Sequence, residues 1–328
     1  MSKVLSVEHL FATFSIQKHE YEVLHDISFD IRSNETLCIV GESGCGKSVT
    51  TLCIMDLLPK NGKIVSGNIK LNGTELTTLS HKDRNSLRGS KMGMIFQEPM
   101  TALNPLLTIG YQLKENLINH RGMTKKQADV EAIEYLKKVG IANPESRLKQ
   151  YPFQLSGGLR QRVLIAMVIC AKPDLIIADE PTTALDVTIQ KQVLSLLNDL
   201  KKEINAGILF ITHDLGVVAE IADRVCVLYA GRRVEEGTVA QIFKNPQHPY
   251  TIGLMNAVPN VDLEEFEIQP IPGTIPNITT MINGCRFNPR CTKSCAKCFE
   301  VAPEMIEIEV GHFVACHYVE NKENKVHE

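Results

Sequence analysis

Two places in the sequence combine residue types and spacing that do chemistry. The first is the octad Gly41-Glu42-Ser43-Gly44-Cys45-Gly46-Lys47-Ser48, which follows the apolar run Leu37-Cys38-Ile39-Val40 and precedes Val49 to Leu58. A G-x-x-x-x-G-K-[ST] spacing between a strand and a helix is a phosphate cradle: its glycines let the backbone curl so that successive N–H groups point at phosphate oxygens. The helix N-terminus adds partial positive charge. Lys47 is expected to reach the β- and γ-phosphates and Ser48 to be a ligand of Mg²⁺, with Gly41, Ser43, Gly44, Cys45, Gly46 and Val49 completing the loop. The second place is Asp179-Glu180, which closes the apolar run Asp174-Leu175-Ile176-Ile177-Ala178. Adjacent carboxylates at the end of a buried strand are costly unless they act. Asp179 suits Mg²⁺ coordination, and Glu180 is placed to polarise an attacking water.

The elements that must hold these residues follow from periodicity. Residues 4 to 31 alternate apolar and polar in short runs, the period of half-buried antiparallel strands, and flank a turn that contains Phe14, an aromatic able to stack on a flat base. Asn61-Gly62 and Asn72-Gly73 mark turns around a strand Ser66 to Leu71. Lys91 to Phe96 reads as a strand that delivers Gln97 to its C-terminal end, where open α/β sheets bind ligands. From about 100 to 165 the pattern is helical, with Thr124 capping Lys125 to Val139 and Gly140 at the stop. Ser156-Gly157-Gly158 opens a further helix and offers a second set of free N–H groups. A helix Val187 to Ile204 and a strand Gly207 to Thr212, ending in His213, complete the α/β alternation.

Composition narrows the class. The chain has 328 residues, 44% hydrophobic and 22% charged, which fits two domains, or one large α/β domain with an appendage, rather than a disordered or fibrous chain. A formal net charge of −3 without a basic block argues against nucleic acid as the main partner. The longest uncharged apolar run, Val163 to Ala171, is far short of the roughly 20 residues of a membrane span, and the N-terminus lacks the apolar core of a signal peptide. A cytosolic chain is expected. Of ten cysteines, Cys285, Cys291, Cys295, Cys298 and Cys316 crowd the C-terminal end, which in a reducing compartment suggests metal rather than disulfides.

Taken in order, Gly41 to Ser48, Gln97, Leu155 to Gln161, Asp179-Glu180, Ala184-Leu185-Asp186 and His213 resemble the nucleotide-binding subunit of an ABC transporter. The resemblance covers residues 1 to 240. It implies a P-loop NTPase fold: a RecA-like core sheet with flanking helices, an antiparallel β subdomain, and a helical subdomain near 100 to 165. It also implies roles. Phe14 resembles the adenine-stacking aromatic, Gln97 the glutamine that touches Mg²⁺ and senses the membrane partner, Glu180 the catalytic carboxylate and His213 the switch histidine. Ser156, Gly157 and Gly158 resemble the signature that binds the γ-phosphate held by a second subunit, and Asp186 the residue that couples the two sites. Leu159 departs from the family's usual Gln or Glu, although an apolar residue there is common in the peptide-importer branch.

The tail points to the same branch. Asn245-Pro246-Gln247-His248-Pro249-Tyr250-Thr251, Ile271-Pro272-Gly273 and Gly284-Cys285-Arg286-Phe287-Asn288-Pro289-Arg290-Cys291 resemble the C-terminal extension, from 241 to 328, of oligopeptide and dipeptide permease ATPases. The implied function is ATP hydrolysis driving uptake of di- or oligopeptides at the cytoplasmic face of the membrane. The implied partners are two transmembrane permease subunits, a paralogous ATP-binding subunit and an extracellular solute-binding protein. A nickel or metal-chelate importer of the same branch is the alternative, and a soluble ABC ATPase of repair or translation a more distant one, since no second cradle exists in the chain.

Cys285, Cys291, Cys298 and Cys316 are separated by five, six and seventeen residues. Four thiolates suffice for an iron–sulfur cluster, and this spacing resembles the tail of peptide-importer subunits, where a [4Fe-4S] cluster is the family expectation. Zn²⁺ is the alternative, because Cys295-Ala296-Lys297-Cys298 offers a C-x-x-C pair and His312 and His317 lie nearby.

Overall fold

The computed structural model describes residues 2–183, 185–257, 271–280 and 282–320. By their contacts these form two compact units that interleave along the chain: Met1–Leu5, Ile31–Glu35 and Leu71–Phe210 in one, Ser6–Asp30, Thr36–Lys70 and Ile211–Glu328 in the other. The cradle lies in the second and the paired carboxylates in the first.

In the cradle unit, Thr36–Val40 is buried at all five positions, as an apolar run in a parallel sheet must be. It pairs in parallel with Arg224–Tyr229, Leu37 opposite Arg224 and Val40 opposite Val227. The chain then reverses through Ala230 and Gly231, both at positive φ, the backbone of a two-residue hairpin turn. Arg232–Thr238 runs back antiparallel to Arg224–Tyr229, and His312–Val314 and Ile306–Glu309 extend the sheet beyond it. The tail thus contributes two strands that its polar sequence did not announce, and it buries Phe287, Val314 and Val319.

His19–Arg32, Lys3–Ile16 and Gly62–Leu71 lie side by side in a second sheet in that order. The first two are long, 14 residues each. They can be long because the turn between them takes only Gln17 and Lys18, at φ of 50° and 68°, so Phe14 belongs to the strand Lys3–Ile16 and not to the turn expected to hold it.

In the carboxylate unit, Met92–Ile95 and Leu175–Asp179 pair in parallel, Ile95 opposite Ala178, with Gly207–Thr212 beside them. The expected helical stretch is entirely without strands, and its helices Ile109–Arg121, Lys125–Lys138 and Gly157–Ile169 meet over Leu113, Leu117, Ala128, Ala132, Leu136 and Ile165. Thr124 accepts from the Gln127 N–H while the Gln127 side chain accepts from the Thr124 N–H, a capping box that starts the second of these helices where the sequence placed it. Val187–Ile204 buries Val193, Leu194, Leu197 and Leu200 at i, i+1, i+4 and i+7, one apolar stripe.

Candidate nucleotide site

The cradle is built from close backbone approaches. A Cβ on Gly41 would lie 2.3 Å from the Leu228 carbonyl oxygen and 2.7 Å from the Cys45 sulfur, so only glycine fits where the strand Thr36–Val40 delivers the loop. Gly46, at φ 108°, turns the chain into the helix Lys47–Met55. The loop closes through the Cys45 N–H to the Glu42 carbonyl (3.3 Å), and the Gly231 N–H donates to the Cys45 carbonyl (2.8 Å). Lys47 is buried, and its ammonium donates to the carbonyls of Gly41 (2.7 Å) and Glu42 (3.1 Å), which holds it inside the loop that it would share with a phosphate. Ser43, Gly44 and Ser48 face solvent, whereas Cys45 is buried with its thiol pushed up by burial. In the same unit, Phe14 is half-buried with its ring over Gly62, and His213 is exposed at the end of the strand Gly207–Thr212.

The carboxylate unit assembles the second set. Gln97 Nε2 donates to Glu180 Oε2 at 3.2 Å, and the Thr183 hydroxyl donates to the same oxygen at 3.0 Å. Glu180 sits at φ 47°, a left-handed backbone that costs about 1 kcal/mol or more in a residue with a side chain. Strain of this kind concentrates at functional sites, and here it turns the carboxylate off the line of the strand Leu175–Asp179. Asp179 ends that strand half-buried.

The Ser156 hydroxyl caps the helix Gly157–Ile169 by accepting from the Leu159 N–H at 3.4 Å. Gly157 has open space where a Cβ would be, and a Cβ on Gly158 would come within 3.0 Å of Ile189. Leu159 is half-buried, so its side chain packs rather than projecting like a Gln or Glu. Asp186 caps the helix Val187–Ile204, Oδ1 accepting from the Ile189 N–H at 3.0 Å. Ala184 lies outside the described residues.

The Cys285 thiol feels those of Cys291, Cys298 and Cys316 electrostatically, and burial, the larger cause, pushes it to about 12. The Cys285 N–H donates to the Cys298 carbonyl at 2.8 Å, drawing both ends of the loop together. Cys295 and Cys298 bring their sulfurs to 3.5 Å. Among the described residues, however, no three His, Cys, Asp or Glu side chains gather in the way that one bound metal ion requires. Neither the [4Fe-4S] cluster nor the zinc alternative therefore gains support from an assembled ligand group among the described residues. His312 is committed elsewhere, its Nε2 bonded at 2.8 Å to Glu235 Oε1 with both side chains fully buried, and His317 is bonded to Glu320 and to the Val301 carbonyl.

Sequence reasoning passed over the buried hub around Glu235, whose carboxylate also accepts from the backbone N–H groups of Gln247 and His248 at 2.8 Å each. It also passed over Glu42. Nothing in the local sequence of either residue reveals partners tens to hundreds of positions away.

The fold and these two residue sets define an ABC-type ATPase. The ABC transporter family matches residues 24–183, and the family of the oligopeptide/dipeptide transporter C-terminal region matches residues 234–298. The chain belongs to the ATP-binding proteins of oligopeptide and dipeptide transport. It is 49% identical over 317 residues to the dipeptide transport ATP-binding protein DppD of Bacillus subtilis, covering 96% of this chain and 95% of that one. It is 47% identical over 313 residues to the oligopeptide transport ATP-binding protein OppD of Salmonella typhimurium, covering 95% and 93%. Among solved structures, a post-hydrolysis dimer of the ATP-binding cassette MJ0796 with ADP and Pi superposes with a TM-score of 0.64 at 28% identity, covering 72% of this chain and 98% of that one.

Proposed function

We infer that this chain is the ATP-hydrolysing subunit of an importer of di- or oligopeptides. The observation that carries the reading is full-length similarity to dipeptide and oligopeptide transport ATP-binding proteins at 47–49% identity, on a chain that keeps the phosphate cradle and the strained Glu180. The division of labour follows from chemistry. The loop Gly41 to Val49 binds the triphosphate, with Lys47 on the β- and γ-phosphates; Ser48 and Asp179 hold Mg²⁺ with Gln97; Glu180 takes a proton from the attacking water; His213 steadies the γ-phosphate; and Phe14 stacks on adenine. Ser156, Gly157 and Gly158 serve the nucleotide of a second ATP-binding subunit, a paralogue, and Asp186 couples the two sites. The bound Mg²⁺ neutralises charge developing on the phosphates.

Residues 1 to 240 form the nucleotide-binding domain and 241 to 328 a Cys-rich extension, a division supported by the limits of the two family matches. Among the described residues no helix is long and apolar enough to cross a membrane, so translocation falls to two permease subunits fed by a solute-binding protein, with this chain on the cytoplasmic face. The permease contact is the region from Gln97 through the helical stretch, where Met100, Leu106 and Tyr111 are exposed and Tyr151 stacks on exposed Phe153. In the tail, Cys285, Cys291, Cys298 and Cys316 hold a [4Fe-4S] cluster with a structural role. What supports this reading over zinc is the spacing of these four cysteines, separated by five, six and seventeen residues, which resembles that of peptide-importer tails.

The test is reconstitution with two permease subunits and a solute-binding protein. ATP-dependent accumulation of di- or oligopeptides in vesicles supports the reading, and transport of nickel with no response to peptides overturns it.

A further inference from the structure

Glu42, the second residue of the cradle, places a carboxylate beside a loop whose purpose is to attract phosphate. That carboxylate is gripped by Arg290, Nη1 to Oε2 at 2.7 Å and Nη2 to Oε1 at 3.0 Å, a two-pronged pair across 248 positions of sequence. The Glu42 N–H donates to the hydroxyl of Tyr250 at 2.8 Å. Arg290 is itself fixed: only 4% of its side chain is exposed, its Nε donates to the Pro272 carbonyl at 2.7 Å, and it lies 5.7 Å from the Tyr229 ring centroid. Four residues earlier Arg286 donates to the Ala230 carbonyl (2.5 Å) and to Glu22 (2.6 Å), next to the Gly231 N–H that supports Cys45. The short loop between Cys285 and Cys291 therefore grips the cradle directly at its second residue and braces the Ala230-Gly231 turn that supports its fifth.

We propose that Arg290 is a positioning residue of the nucleotide site: it neutralises and immobilises Glu42, so that ATP affinity depends on the folded tail. An unpaired carboxylate in the phosphate loop would repel the triphosphate and would be free to swing or to capture the Lys47 ammonium, whose carbonyl partners include that of Glu42. With the fork in place the negative charge is cancelled at its source. The proposal rests on reading Gly41 to Ser48 as the phosphate cradle.

The test is equilibrium binding of Mg-ATP to the full chain, with kcat and KM measured in the assembled transporter. Arg290→Ala is expected to weaken ATP binding about tenfold, within the usual range of coupling between sites, with KM rising by more than kcat falls. Arg290→Lys keeps the charge but not the fork and is expected to fall between the two. The double variant Arg290→Ala, Glu42→Gln is expected to recover most of the lost affinity, since it removes the charge that Arg290 cancels. A double variant as weak as Arg290→Ala alone would show that Arg290 only holds the tail together and would overturn the proposal. Should Arg290→Ala not fold, Glu42→Gln alone decides: it is expected to bind ATP at least as tightly as the wild type, and weaker binding overturns the idea. Lys47→Ala is the control. Undiminished binding in that variant would remove the cradle reading itself, whereas its loss alongside wild-type binding by Arg290→Ala would remove only the clasp.

Discussion

Gln97 donates to Glu180 at 3.2 Å, joining the residue that ends the strand Met92–Ile95 region to the carboxylate that follows the parallel strand Leu175–Asp179. The in-register pairing of those two strands sets the distance, and the left-handed backbone at Glu180 aims the carboxylate. Glu180→Gln keeps the size of the side chain and cannot accept the proton. Turnover by the assembled transporter is expected to fall by about 10²- to 10⁴-fold while ATP binding persists. Steady-state hydrolysis near the wild-type rate would take the role of base away from Glu180.

Assembly is the second prediction. Ser156 is exposed and its hydroxyl accepts a long cap bond from the Leu159 N–H, while the N–H groups of Gly157 and Gly158 in the first turn of the helix lie at a place suited to an anion. If those donors serve a neighbour's ATP, the isolated subunit hydrolyses slowly and activity rises more than linearly with protein concentration or on adding the paralogue. Strong activity per molecule that is independent of concentration would contradict this. Ser156→Ala is expected to lower assembled activity severely while costing about 1 kcal/mol of stability, the ordinary value of a lost serine cap.

The elements that position the site were legible where the local pattern is strong. Thr124 before Lys125, the helical run Val187 to Ile204 and the apolar run Leu37 to Val40 each carry a physical signal in consecutive residues, and the chain folds there as expected, although the caps supplied by Gln127 and Asp186 were passed over. Phe14 was misplaced because a run of alternation does not say where a strand stops, and Gln17-Lys18 lacks the Asn-Gly signature of a two-residue turn. The tail strands Ile306–Glu309 and His312–Val314 were invisible for another reason. Each is short: His312–Val314 is strand because Arg232–Thr238 offers an edge to pair with, and Ile306–Glu309 because His312–Val314 then offers the next.

Acid sensitivity is the third prediction. His248 is buried, and its Nδ1 accepts from the Tyr250 N–H at 3.1 Å to cap the helix Pro249–Asn256. Burial pushes its pKa down to about 4 from the ordinary 6.5. The folded form therefore binds fewer protons than the unfolded form between those values. The stability this neutral cap contributes is fully present above pH 6.5 and is lost progressively as pH falls toward about 4. His248→Asn keeps a capping acceptor and removes the titration, so its Tm is expected to decline less than that of the wild type between pH 7 and pH 5. Parallel declines in the two proteins would rule out His248 as the sensor.

The fourth prediction concerns the metal. A zinc ion holds its sulfurs at about 2.3 Å and so draws them into one small tetrahedron. Cys295 and Cys298 bring their sulfurs to 3.5 Å, and no third ligand joins them among the described residues. The cluster reading rests instead on the spacing of Cys285, Cys291, Cys298 and Cys316 in the sequence. Anaerobic purification is expected to yield a coloured protein with iron and acid-labile sulfide in equal amounts. Serine at 285, 291, 298 or 316 is expected to lose the iron, and Cys295→Ser to keep it. A colourless protein with one zinc, lost when Cys295 is replaced, would mean that the C-x-x-C pair is the true anchor. Because Arg286 and Arg290 lie between Cys285 and Cys291, loss of the metal is expected to loosen the grip on Glu42 and to raise KM for ATP in the same preparations. Unchanged KM in metal-free protein that still hydrolyses ATP would show that the loop holds its shape without the metal.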